Sequence, residues 1–178
     1  MNIRRRLARL FCTFTVLTML FVVVAGAETT YAAEAELPAR AITKSLRSYA
    51  DSIGCLMAFD QKNVVEFNVS GPGGNSEYVA LFVIDPDCSR GSAMAFRALA
   101  VFEKTESDRV FVRPTLSFPV AENELPPVTE RLFVEDGKLM YEGLDFDVAK
   151  DPLCCPSIPV RGQLTFRNGT WITEPIRR

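Results

Sequence analysis

Val160-Arg161-Gly162-Gln163-Leu164-Thr165-Phe166-Arg167-Asn168-Gly169-Thr170-Trp171-Ile172-Thr173 reads as two strands joined by a two-residue turn. Val160, Leu164 and Phe166 fall on one side of an extended chain, and Arg161, Gln163, Thr165 and Arg167 on the other. That period of two is the signature of a strand with one buried face. Asn168-Gly169 supplies the positive φ angles that a tight hairpin turn requires, and Thr170–Thr173 returns with the lone tryptophan. The same arrangement occurs upstream, where Arg131–Glu135 and Lys138–Glu142 flank Asp136-Gly137.

Further towards the N-terminus, Val64–Val69, Tyr78–Ile84, Phe96–Glu103 and Arg109–Arg113 are strand-like. Tyr78–Ile84 is apolar throughout, which fits a central strand covered on both faces. The period changes before residue 54. Ile42, Leu46, Tyr49, Ala50 and Ile53 recur at helical spacing behind Pro38, a residue suited to a first helical turn, and Gly54 stands just past the end. The expected fold is α+β: one N-terminal amphipathic helix over residues 38–53, packed on a mainly antiparallel β-sheet meander with Asp-Gly and Asn-Gly hairpins, braced by two disulfides. Three connections interrupt it: the glycine-rich turn Ser70–Ser76, an extended proline-bearing stretch from Pro119 to Thr129, and a long loop from Asp145 to Pro159.

Residues 1–27 have the three parts of a secretory signal. Arg4, Arg5, Arg6 and Arg9 precede an apolar run from Phe11 to Ala25, which ends in Ala25-Gly26-Ala27. The run is shorter than the roughly 20 residues that a bilayer span needs. The expected organisation is therefore a cleaved signal peptide (1–27), a short flexible leader (28–37) and a single α+β domain (38–178), exported to a periplasm or the cell exterior without stable membrane insertion. Cleavage removes four of the 20 Lys and Arg and none of the 22 Asp and Glu, leaving 16 against 22, a net charge of −6. Such a balance argues against nucleic-acid binding, which draws on clustered cations.

Cys55, Cys88, Cys154 and Cys155 remain after that cleavage, an even set that reads as two disulfides in an exported chain. Of the three possible pairings, the two that cross-link Cys154 and Cys155 to Cys55 and Cys88 are favoured over a vicinal Cys154–Cys155 bond, because a vicinal bond restrains the unfolded chain very little. No histidine occurs, which removes Ser–His and Cys–His nucleophile activation and most zinc sites. Gly71, Gly73 and Gly74 are followed by no Gly-Lys-Ser/Thr, so they form a turn and no phosphate loop. No cofactor motif is present and no catalytic residue is marked. One metal arrangement stands open: Asp85 and Asp87 precede Cys88, Asp151 precedes Cys154, and a crossed disulfide would gather these carboxylates as oxygen ligands for Ca²⁺.

Asp151-Pro152-Leu153-Cys154-Cys155-Pro156-Ser157, followed by a strand and the Asn168-Gly169 hairpin, resembles exported bacterial proteins of unknown function that carry a D-P-x-C-C-P-S element near the C-terminus, including the LppP/LprE type of lipoprotein. The likeness covers the last third of the chain. It implies a location in the envelope and no activity, and the absence of a lipobox cysteine here separates this chain from the lipid-anchored members. The functional expectation is a non-enzymatic module that binds an envelope or extracellular protein. The alternatives are a carboxylate-dependent hydrolase acting on a cell-envelope saccharide and a structural envelope protein.

Overall fold

The computed structural model describes residues 38–89, 95–152 and 154–176, so the signal peptide and leader expected over 1–37 lie outside the described residues. Helix α1 spans 38–53. Eight strands follow among the described residues: β1 (Cys55–Glu66), β2 (Ser76–Asp85), β3 (Phe96–Lys104), β4 (Val110–Val112), β5 (Val128–Glu135), β6 (Lys138–Asp145), β7 (Ile158–Arg167) and β8 (Thr170–Pro175). All strand neighbours are antiparallel, in two four-stranded meanders ordered β1-β2-β3-β4 and β5-β6-β7-β8. The meander expected from the sequence is thus divided into two sheets.

Side-chain alternation makes the layers. On β2 and β3, Val79, Leu81, Leu99 and Val101 point towards the second sheet, where they pack with Leu132, Leu139, Tyr141, Leu164 and Trp171. The alternate residues Ala80, Phe82, Ile84, Ala98, Ala100 and Phe102 point the other way and meet Ile42, Leu46 and Ala50 of α1. The first sheet is therefore the middle of three layers, and β2 is apolar on both faces because both faces are covered. The cross-strand pairs Ala80↔Ala100 and Phe82↔Ala98 put small side chains beneath the helix. Glycine is required where α1 turns into β1. A Cβ on Gly54 would stand 2.8 Å from both the Asp85 carbonyl oxygen and the Pro86 Cα, too close for any other residue.

Both hairpins read from the sequence form as expected. Asp136 (φ 51°) with Gly137 (φ 71°), and Asn168 (φ 53°) with Gly169 (φ 84°), are left-handed pairs. β1 differs from its expected range because it begins directly after the helix. Its register slips between Phe59, paired with Phe82, and Val64, paired with Ala80, so that residues 60–63 loop out of the ladder. Asn63 in that loop is buried. Its amide donates to the Glu130 carbonyl (3.3 Å) and accepts from the Leu132 N–H (3.3 Å), where β5 has its own register shift between Thr129 and Arg131. One side chain thus bonds the edge of the first sheet to the edge of the second.

The opposite side is closed by residues 113–127, which contain a 3₁₀ turn (Pro114–Leu116) and a cis Phe118–Pro119 peptide. Arg113 and Phe118 donate their N–H groups to Val101 and Leu99 of β3, and Ser117 Oγ accepts from Val101 N–H. Further along, Trp171 of β8 donates its backbone N–H to Glu122 O and its indole N–H to Leu116 O (2.9 Å). The extended segment expected at Pro119–Thr129 is therefore a strap that bridges β3 to β8.

Candidate functional site

The structure pairs Cys55 with Cys88, at a Cα–Cα distance of 5.2 Å, and Cys154 with Cys155. This overturns the crossed pairing favoured from the sequence. The reason is topological. Cys55 lies opposite Asp85 in the β1–β2 ladder, so Cys88, three residues beyond, arrives beside it at one end of the first sheet. The two adjacent cysteines sit on the β6–β7 connection of the other sheet. Loop-closure arguments rank pairings only among cysteines that the fold can bring together.

The calcium arrangement fails with it. Asp85 is buried and accepts from the Asp87 N–H (3.2 Å) and the Ser89 hydroxyl (3.1 Å). Asp151 belongs to the second sheet's loop and serves other donors there. Among the described residues, no group of three His, Cys, Asp or Glu side chains is placed to hold a metal ion.

The loop around Asp151 is built from the carboxylate outward. One oxygen accepts the Ser157 hydroxyl (2.7 Å), and the other accepts the N–H groups of Ser157 (2.8 Å) and Asp147 (2.8 Å). The Asp151 N–H returns to Asp147 O (2.8 Å), and the Cys155 N–H donates to Pro152 O (3.0 Å). These donors, led by the Asp147 N–H and then the Ser157 hydroxyl, hold the Asp151 carboxyl below its ordinary range. The first and last residues of the D-P-x-C-C-P-S element therefore close on each other, and Cys154 and Cys155 are both exposed between them.

A second feature lies on the outer flank of α1. Ser45, Ser48 and Ser52 recur along the helix at steps of three and four beside its buried face, and their small side chains recess that flank. With Ala41, Lys44, Tyr49 and residues 108–112 they line a groove of about 700 Å³ beside β4. Strand β4 is the edge of its sheet. Arg113 N–H donates to Val101 O, and Arg109 O accepts from Thr105 N–H, so the odd-numbered residues face β3. By the antiparallel alternation, the backbone groups of Val110 and Val112 face outward. Ser45 Oγ reaches the Val110 carbonyl (3.3 Å). Phe111 is 51% exposed there. Lys44 and Arg109 flank the groove without a carboxylate partner among the described residues, whereas Asp108 is paired with Lys104 (2.8 Å).

The outward face of the second sheet is self-contained by comparison. Arg131 and Arg161 lie over the Phe133 ring at 4.7 and 5.2 Å. Their guanidinium groups pair with Glu142 and Glu135, each at 2.6 Å.

No protein-family model, curated protein or solved structure matches this chain. Sequence reading singled out the cysteines and acids but missed both the groove and the Asp151–Ser157 closure. The serine spacing on the helix was available as a signal. The outward-facing edge of β4 was not, because it depends on which strand ends the sheet.

Proposed function

We propose that this chain is exported to a periplasm or the cell exterior, and that there it is a partner-binding module that captures an extended acidic segment of another protein along β4. The observation that carries the reading is the outer edge of Val110–Val112, lying beside the groove at the flank of α1. No strand is paired to that edge among the described residues, and its Val110 carbonyl accepts the Ser45 hydroxyl. An added strand gains main-chain hydrogen bonds from the Val110 N–H and from Val112, displaces or shares the Ser45 contact to the Val110 carbonyl, and turns every second side chain into the groove. Among the described residues Lys44 and Arg109 have no carboxylate partner at its rim, which favours Asp or Glu on the incoming segment. The alternative docking face, the outside of the second sheet, has its one central aromatic covered by two arginines that are themselves paired.

The test is selection from a displayed library of random peptides on the domain, followed by binding to variants. The Val112→Pro substitution deletes an outward N–H while leaving the β3 side of the ladder intact. It should abolish binding of the selected peptides. The Lys44→Glu/Arg109→Glu variant should weaken acidic peptides about tenfold or more and remove their salt dependence. Selected peptides that bind Val112→Pro as tightly as the parent protein would place the binding surface elsewhere.

A further inference from the structure

The two disulfides have different physical consequences. Cys55–Cys88 spans 33 residues and ties α1's end to the end of β2. Cys154–Cys155 joins neighbours in the chain. It closes only a tight ring across one peptide bond and no long loop, so it removes almost nothing from the freedom of the unfolded chain and has no comparable stabilising role. Nor does the surrounding loop need it to keep its shape. Asp151 already binds the Ser157 hydroxyl and the N–H groups of Ser157 and Asp147, and none of these bonds involves sulfur. Both cysteines are exposed, open to an attacking thiolate.

We propose that Cys154–Cys155 is a site of reversible thiol–disulfide exchange, with a dithiol as its substrate. The incoming thiolate attacks Sγ of one cysteine. A mixed disulfide forms, and the S–S bond to the other cysteine breaks, leaving it as a thiolate that takes up a proton. The second thiol of the substrate, as its thiolate, then attacks the mixed disulfide. The protein departs with two thiols and the substrate leaves as a disulfide: two electrons and two protons pass from the dithiol to the protein. Adjacency makes the reverse step intramolecular, because the reduced thiols stay on neighbouring residues of a loop that Asp151 still holds. The site is independent of the groove beside β4 and of any partner bound there.

Titration of the folded protein with dithiothreitol, quenched by alkylation and read by mass spectrometry of the digested chain, tests this. The expected result is one equivalent of dithiol consumed and two labels on the peptide containing Cys154 and Cys155. Labelling there should be at least about tenfold faster than at Cys55 or Cys88, with an unchanged circular dichroism spectrum, and a reduced sample treated with oxidised glutathione before the alkylation quench should take no label. The Cys154→Ser/Cys155→Ser variant should fold with the parent's thermal midpoint and consume no dithiol under the same conditions. Equal or faster labelling of Cys55 and Cys88 would overturn the proposal. So would reduction of Cys154–Cys155 only on global unfolding, or loss of the fold in the double-serine variant.

Discussion

Asn63 shows how much one side chain can settle in this protein. It stands in Asp60-Gln61-Lys62-Asn63, the polar stretch that loops out of the β1 ladder. What it does is complete the hydrogen bonding of two irregular strands at once. Asn63→Ala should cost about 1–3 kcal/mol in urea denaturation, because the Glu130 carbonyl and the Leu132 N–H both lose their partner at a buried position. Asn63→Asp keeps an acceptor for Leu132 but removes the donor and adds a buried charge, so it should be no better than alanine; recovery to the parent's stability would show that the contact with Glu130 is idle. Asp151 gives a second test at this scale. Its pKa is lowered on folding, so the closure it makes is present above the ordinary carboxylate range and is lost as pH falls through the depressed value. The protection of the Ser157 amide, its exchange rate relative to the intrinsic rate at the same pH, should fall in that acid window and stay constant through it in Asp151→Asn. A Ser157 amide that stays protected through the window would mean that the carboxylate does not hold the loop.

At the scale of elements, the helix and the hairpins were legible because each carries its own periodicity or turn chemistry. Ile42, Leu46 and Ala50 are fully buried where the helical spacing put them, and Tyr49 and Ile53 border the same cluster. Leu46→Ala should cost about 2–5 kcal/mol. Ser48→Ala, on the groove flank, should stay within about 0.5 kcal/mol, and equal losses in the two would contradict the assignment of faces. The start of β1 was not legible. Cys55–Phe59 follows the helix without a loop and joins the sheet through a ladder that slips twice, so no clean alternation marks it. The pairing of the cysteines was hidden for a related reason. It depends on β1 lying against β2 and on β6–β7 belonging to the other sheet, and pairing across sheets is a property of topology that no local pattern encodes. The groove was illegible for the same cause, since only the strand order makes β4 an edge.

For the whole molecule, Cys55–Cys88 is the covalent brace. Replacing both residues by serine should lower unfolding free energy by about 4 kcal/mol in the chain-entropy model, read from chemical denaturation. A loss equal to that of the Cys154→Ser/Cys155→Ser variant would refute the division of labour between the two bonds. The export proposal is checked by the intact mass of the protein recovered outside the cytoplasm. An N-terminus between Glu28 and Glu36 is expected, and a mass that still includes residues 1–27 would exclude cleavage.

The strand order also has a bearing on how the chain assembles. Within each sheet every strand lies against the one made just before it, so no step waits for a distant segment to return. The first sheet uses residues 55–112 alone, and the second uses 128–175. A chain made from its N-terminus, or threaded through a narrow pore in that direction, has all of β1–β4 available before β5 emerges. The first half can zip into register during delivery, and the second half then has a finished apolar face to condense upon.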